Sequence, residues 1–524
     1  MSKSVNSLVL DGHSLQLEDA CRCSRSTGAP SIAPSARIAV QAARELVERL
    51  LHSGKPVYGI TTGFGKLKSV SIAPADAVTL QVNLLRSHAV GVGACADATT
   101  VRLLLVLRLN TLLRGNSGVR NEVCDQLCAL LAHNILPEVP EQGSVGACGD
   151  LAPLAHLALV LIGEGRARVG NSEVLSGGAA LQRCGLQALQ LQPKEGIALI
   201  NGTAFSTAVA ALSMSSAWQA LALADLAAAM TIEALQGSHH PAEARVAAIR
   251  PHPGHARSAA NLRALLHGSE IEAEHHDCGR VQDPYSLRCT PQVHGAISDA
   301  LEHVSLVLER EMNSATDNPL IFAAEGDSIS AGNFHGEAVA LVCDYAKCAV
   351  AELASISERR IENLVNPDLS GLPPFLAGGQ PGLNSGLMMA QVTAAALVSE
   401  NKGLAHPSSV DSIPTSANQE DHVSMSPIAA RTLRAITTNM RHVLSVELLA
   451  AYFALHWRQP RRAGAGVQAA FAFLQQHIAP PGADRLFSED LAKVRQLMDD
   501  GSLLAAAHRA APCPGYPRPI ENTP

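Results

Sequence analysis

Apolar residues recur along this chain in two styles. In the first they mark one face. From Ser35 to Leu51, residues Ala39, Ala42, Ala43, Leu46 and Leu50 return every three or four positions, which predicts an amphipathic helix. Gln81–Val90, Asp97–Leu113 and Leu151–Ile162 read as further helices of the first third. The second style begins near residue 196, where helical apolar runs dominate, over 204–235, 292–313, 336–357, 385–402 and 427–458. Long, Ala-rich and lightly capped, these segments predict helices packed as a bundle. Polar and helix-breaking residues gather between them, at Gln236–Pro241, Gln282–Tyr285, Asp317-Asn318-Pro319, Gly371–Pro374 and Ser408–Gln419. Residues 1–30 read as an irregular or partly stranded lead-in, and 164–195 as a small strand region.

The fold class is therefore mainly α. A smaller N-terminal domain with loops and short strands is expected over 1–200, and a central bundle of long helices over 201–480. A C-terminal helix and an irregular Pro-rich tail are expected over 481–524, where five of the last thirteen residues are Pro. Aromatic residues make up only 3% of the chain against 47% hydrophobic, so Ala, Leu and Val must build the core. The net charge of −7 is spread in mixed sign, which argues against a nucleic-acid surface and towards a small-molecule ligand. The 12 Cys show no CxxC and no zinc-type spacing, so they read as reduced thiols in the cytoplasm, and the start reads as no secretory leader. The apolar stretch Ala204–Leu235 carries Asp225 and Glu233, so it reads as a buried core helix and not a membrane span.

Candidate chemistry lies in the breaks. Gly143-Ser144-Val145-Gly146-Ala147-Cys148-Gly149-Asp150 sets glycines around one thiol, ahead of an apolar helix. Glycine frees the backbone and leaves its amide nitrogen unhindered. Either Cys148 is a nucleophile or the backbone itself reacts. Tyr58–Gly65 is a Gly-rich loop with two of the chain's scarce aromatics. Asn201-Gly202-Thr203 could simply cap a helix, His88 alone reads as a structural histidine, and Gln419-Glu420-Asp421-His422 could be a solvated helix start. Taken together with Gln282, Tyr285 and Arg288, they supply a carboxylate-binding guanidinium, phenols, amides and a carboxylate, which suits an amino-acid substrate. A Tyr with a lowered pKa would move a proton there.

Six ordered segments carry a resemblance: Tyr58–Gly65, Gly143–His156, Asn201-Gly202-Thr203, Gln282–Cys289, Ser330–Glu337 and Ser408–Met425. On these the chain resembles the aromatic amino acid lyase family. The resemblance implies a mainly helical homotetramer whose active sites draw on three subunits, with no metal and no external cofactor. It also implies an electrophile, 4-methylidene-imidazol-5-one, closed by the chain itself from Ala147-Cys148-Gly149 with support from Asp150, Gly143 and Gly146. The family usually has Ser where Cys148 stands, so sulfide would leave in place of water. Three outcomes are open: ring formation from Cys, a linear chain with a free thiol, or an oxidised thiol. By the same resemblance Tyr58 takes the β-proton, Asn201 binds the electrophile's carbonyl, and Arg288 holds the substrate carboxylate beside Tyr285 and Gln282. Phe334 packs by the ring, and Glu420 also takes part in proton transfer. His88 and Gln419-Glu420 are the selectivity positions, and a donor and an acceptor there suit an imidazole. The implied reaction is loss of ammonia from L-histidine to give trans-urocanate. The alternatives are a lyase or 2,3-aminomutase on another aromatic amino acid, or an inactive variant that kept the fold.

Overall fold

A computed structural model of the chain describes residues 8–53, 57–273, 281–380 and 382–516. The first residues of the lead-in and the end of the Pro-rich tail lie outside the described residues. The fold is mainly helical, with short strands only. The long apolar runs are helices at Ala204–Ala234, Thr290–Met312, Glu337–Val365, Met388–Leu404 and Ser426–His456. Their ends fall within a few residues of the sequence pattern, except that Glu337–Val365 runs on past 357. The chain groups into two compact units. One gathers residues 1–213, 305–344 and 407–431, and the other gathers 214–304, 345–406 and 432–524. Segments 305–344 and 407–431 thus join the N-terminal portion, a grouping set by contacts that a linear reading does not contain.

The first unit is built on the Ala98–Leu113 helix, in which every residue from Thr100 to Leu113 is buried. Leu and Val fill most of it, and its buried Arg102, Arg108 and Asn110 find polar partners, as buried polar groups must. Its start is fixed by Asp97, whose side chain accepts from the Thr100 N–H at 2.8 Å. Leu151–Leu161 is similarly buried. Around them lie small sheets. Ile135–Pro137, Arg166–Val169 and Leu175–Ser176 form an antiparallel three-stranded sheet, and Val92–Cys95 pairs with Pro140–Gln142. The strand region expected over 164–195 is therefore partly met, since it also holds the Gly177–Arg183 helix.

The lead-in departs from expectation. Besides the parallel pair Val9–Leu10 with Ser31–Ile32, it contains a helix at Leu17–Arg25. Leu17, Ala20, Cys21, Cys23 and Ser24 are its buried residues, with Glu18 and Asp19 in the first turn and Arg22 and Arg25 in the last. That charge order suits the helix dipole. The helix escapes notice because only one of its five buried residues, Leu17, is a large aliphatic.

In the second unit a buried polar network ties four long helices together. The Arg360 guanidinium grips Glu447 at 2.5 and 2.9 Å, and Glu447 also accepts from Thr231 at 3.0 Å and Ser357 at 2.6 Å. His294 meets Asp225 at 2.8 Å. Buried charges need such pairing, because an unpaired one costs several kcal/mol (order of magnitude). The bundle is thus set in register by its few polar residues while Ala and Leu fill it. Among the described residues one helix, Ala204–Ala234, is long and apolar enough to cross a membrane, and 78% of its apolar window is buried in the protein. It is a core helix, as its internal Asp225 and Glu233 suggest. Two helices, Phe487–Asp499 and Ser502–Ala510, precede an irregular stretch from Ala511 to Tyr516.

Candidate active site

The Gly143–Gly149 loop turns on positive φ values at Gly143, Gly146 and Gly149. At Gly149 the requirement is steric as well. Its φ is +73°, and a Cβ there would run into the Gly202 carbonyl. The contact is close because the two segments pair. The Gly202 N–H donates to the Cys148 carbonyl at 3.2 Å, and the Asp150 N–H donates to the Gly202 carbonyl at 2.7 Å. Asn201 adds a second donor. In the orientation that satisfies both ends of its amide, Nδ2 lies 2.9 Å from the Cys148 oxygen and Oδ1 lies 2.9 Å from the Asn318 N–H. The Cys148 carbonyl thus faces two N–H donors. Asn201 stands at the C-terminal cap of the Glu195–Ile200 helix.

Asp150 is fully buried behind this loop. Its carboxylate accepts from the Ser206 N–H at 2.8 Å and the Ser206 hydroxyl at 2.6 Å. Those groups belong to the first turn of Ala204–Ala234, where free N–H groups attract an anion. Burial still dominates and pushes Asp150 up to about 6, with the Ser206 and Phe205 donors holding it from going higher.

A cavity of about 520 Å³ opens in front of Cys148. Tyr58, His88, Ala147, Cys148, Asn201, Phe334, Gln419 and Glu420, all singled out in the sequence, line it. The Cys148 thiol donates to Glu420 Oε1 at 3.2 Å, while Glu420 Oε2 accepts from Thr415 Oγ1 at 2.6 Å. Burial, and then the Glu420 carboxylate, push the Cys148 thiol up, so it is held protonated. Glu420 is presented by an unusual turn. Ser416, Ala417 and Asn418 have φ of 52°, 52° and 63°, and Thr415 and Glu420 close the turn by a backbone bridge. Left-handed residues other than glycine cost about 1–2 kcal/mol each, so the surrounding structure must hold this turn in place. Gln419 accepts from Lys68 Nζ at 2.7 Å.

Tyr58 sits opposite, its hydroxyl accepting from the Gly65 N–H at 3.2 Å and its ring meeting Phe64 edge-on. Burial raises its pKa, with smaller contributions in the same direction from Cys148 and Glu420. The lowered phenol pKa that would suit proton transfer is not what this site gives: burial outweighs the Gly65 N–H, which acts the other way. His88 Nδ1 lies 2.8 Å from the Leu84 carbonyl. That acceptor requires the proton on Nδ1, so the neutral ring keeps Nε2 as an acceptor. Burial lowers the His88 pKa and favours this neutral form.

Gln282, Tyr285 and Arg288 do not line this cavity. They belong to the other compact unit, where Tyr285 is 71% exposed and the Arg288 guanidinium stacks on its ring at 4.5 Å. Several groups in and behind the cavity were not anticipated: Thr415, Lys68, Ser206, and the buried pair of Lys194 and Asp317 at 2.7 Å. Their only sequence signals were the Asp317-Asn318-Pro319 break and, for Thr415, the Ser408–Gln419 break. At the cavity rim His335, Glu337 and His422 bring their ligand-type atoms within 4.8 Å of one another, the one such trio among the described residues.

The family model for aromatic amino acid lyase matches residues 15–476. The chain belongs to the aromatic amino acid lyase family. Within it, the histidine ammonia-lyase of Anaeromyxobacter sp. (strain K) is 52% identical over 507 residues, covering 95% of this chain and 100% of that one. That of Deinococcus radiodurans is 50% identical, covering 97% of each. Among solved structures, histidine ammonia-lyase from Trypanosoma cruzi superposes with a TM-score of 0.89 at 38% identity, over 97% of this chain and 96% of that one. A tyrosine aminomutase from Streptomyces globisporus reaches 0.91 at 35% identity, over 97% and 99%. As a family member the chain is a lyase-type enzyme with the mainly helical fold described above.

Proposed function

We propose that the chain eliminates ammonia from L-histidine to give trans-urocanate, using a 4-methylidene-imidazol-5-one closed from Ala147-Cys148-Gly149. The observation that carries this reading is the convergence of Tyr58, His88, Asn201 and Glu420 on Cys148 in one cavity. Relatives named histidine ammonia-lyase at about half identity support the choice of substrate. The residues present fit the group. Gly149 has the unhindered nitrogen and bent backbone that closure needs, and the Cys148 carbonyl, which would become the ring's, already faces two donors. Such a ring supplies an electrophilic carbon that takes up the substrate amine and makes it a leaving group.

The chain's own residues do the rest. Asn201 and the Gly202 N–H stabilise charge that develops on the Cys148 oxygen. Tyr58 removes the β-proton. Its raised pKa means that the bound substrate must help ionise it, and the substrate's ammonium and imidazole are the groups that can. His88 Nε2 accepts from one imidazole nitrogen and Glu420 engages the other. Phe334 closes one wall, and Gln419, held by Lys68, supports Glu420 from the adjoining position. We assign Gln282, Tyr285 and Arg288 to a cavity of a neighbouring copy in a homotetramer, with Arg288 taking the substrate carboxylate. Buried Arg288 Nε has no partner of its own, and Tyr285 is exposed. We place the reaction in the cytoplasm, since no disulfide forms among the described cysteines.

The test is direct. L-Histidine is added to the purified protein and urocanate absorbance followed, with L-tyrosine and L-phenylalanine in parallel. The intact mass is measured on the same sample. The reading expects urocanate, and a mass below that of the sequence by one water and one hydrogen sulfide. A full mass with no product would overturn it, and product from another aromatic amino acid alone would move the chain to a different substrate.

A further inference from the structure

The Asn201 amide has two competing orientations. With Nδ2 towards Cys148 it donates to that carbonyl at 2.9 Å, and its oxygen accepts from the Asn318 N–H at 2.9 Å. Turned over, Nδ2 lies 3.3 Å from Asp317 Oδ1 and 3.3 Å from the Asn318 carbonyl. The first orientation is the useful one, yet it sets the amide oxygen about where Nδ2 stood, against the Asp317 carboxylate. An unscreened buried carboxylate would repel that oxygen and attract the NH₂ group in its place. Asp317 is fully buried, so its charge acts through a low dielectric.

Two cations stand behind Asp317. Lys194, also fully buried, donates to Asp317 Oδ2 at 2.7 Å. Buried Arg108 adds a more distant charge and donates to the Asn201 carbonyl at 2.5 Å. Lys194 is held in a left-handed conformation, φ 79°, immediately before the Glu195–Ile200 helix whose C-cap is Asn201. One short helix therefore carries the cation at one end and the amide at the other, with Asp317 reaching both. We propose that Lys194 is a positioning residue, which neutralises Asp317 so that the Asn201 amide turns its N–H to the Cys148 carbonyl. The proposal rests on the reading of that carbonyl as part of the electrophile.

Lys194→Met leaves Asp317 uncompensated, and the double variant Lys194→Met with Asp317→Asn removes both charges. The test reads kcat, KM and intact mass, and locates the Asn201 amide hydrogens by neutron diffraction. In Lys194→Met the amide is expected to turn to Asp317. The kcat should fall about 10²–10³-fold, the loss seen on removing one oxyanion donor, with KM little changed and the mass deficit retained. In the double variant the amide returns to Cys148 and most of kcat with it, a recovery that a merely structural role would not give. The proposal is overturned if the amide still faces Cys148 in Lys194→Met, if that variant keeps its full mass, or if the folded double variant is as slow as the single one. Should Lys194→Met not fold, amide orientation and kcat in the double variant decide alone. A parent protein of full mass would sink the electrophile reading, while the amide orientation still decides the role of Lys194.

Discussion

Ser206→Ala tests whether the carboxylate behind the electrophile loop is controlled as the structure indicates. Asp150 is raised from 3.8 to about 6 by burial. The difference, 6 − 3.8 = 2.2 units at 1.36 kcal/mol each, is about 3 kcal/mol. Because the folded pKa is raised, the protonated form favours folding, and that benefit is complete below about pH 4. It is lost as pH rises to about 6, above which the fold carries a desolvated charge. The Ser206 hydroxyl, 2.6 Å from Asp150 Oδ1, limits the cost. A hydrogen bond to a charged group contributes about 1.5–3 kcal/mol, against about 1 kcal/mol to a neutral one. Removing it should lift Asp150 by roughly one unit, to about 7. The Ser206 backbone N–H at 2.8 Å and the Phe205 backbone N–H are untouched, so the carboxylate keeps two partners. The variant should therefore lose about 1 kcal/mol near pH 5 and about 1.5–3 kcal/mol near pH 8.5. Urea unfolding followed by circular dichroism at the two pH values measures this. Ser426→Ala is the control, since its hydroxyl meets the Ser206 hydroxyl at 3.1 Å and makes no contact with Asp150 that would give it a pH dependence. Equal losses for Ser206→Ala at both pH values would refute the assignment of a titrating, hydroxyl-stabilised Asp150.

Four further outcomes are expected. Cys148→Ser should lower the intact mass by two waters and keep urocanate formation, whereas Cys148→Ala should keep its full mass and lose turnover. Tyr58→Phe should reduce kcat about 10²–10⁴-fold, the usual contribution of a proton-transferring group, with an unchanged melting temperature because its hydroxyl meets only the Gly65 N–H and the cavity. His88→Leu should raise KM for L-histidine about tenfold, the equivalent of one lost hydrogen bond, and narrow the preference over L-phenylalanine in a two-substrate competition. Gly149→Ala should show no mass deficit, since its Cβ and the Gly202 carbonyl cannot share that space.

How far the sequence carried depended on distance along the chain. The long helices were legible because their burial leaves long runs in which apolar residues dominate, as in Ala204–Ala234. Leu17–Arg25 was not, because Ala20, Cys21 and Ser24 make a buried face that composition does not distinguish from a loop. In the cavity, local motifs identified Tyr58, Cys148, Asn201 and Glu420. What fixes their protonation and aim lies in an unusual turn or far off in the chain. Thr415 reaches Glu420 through a turn of three left-handed residues, Lys68 reaches Gln419 across 351 positions, and Lys194 reaches Asp317 across 123. None of these pairs has a periodicity or a local motif to announce it. Tyr285 and Arg288 are the opposite case. They were plain in the sequence, but a single chain does not bring them to this cavity.

The same distinction bears on our proposed reading of the Ala147-Cys148-Gly149 loop. From the residues alone Cys148 was equally a nucleophile or a precursor. A thiol nucleophile is activated by a neighbouring cation or a helix N-terminus, which favours the thiolate. Here the charged neighbour is the Glu420 carboxylate at 3.2 Å, and burial acts in the same direction, so the thiolate is disfavoured twice. Meanwhile the atoms beside it are arranged for the other chemistry. The carbonyl has its donors, Gly149 has no room for a side chain, and a buried carboxylate stands behind the loop. A side chain deactivated as a nucleophile, on a backbone held for closure, is better suited to leave than to attack.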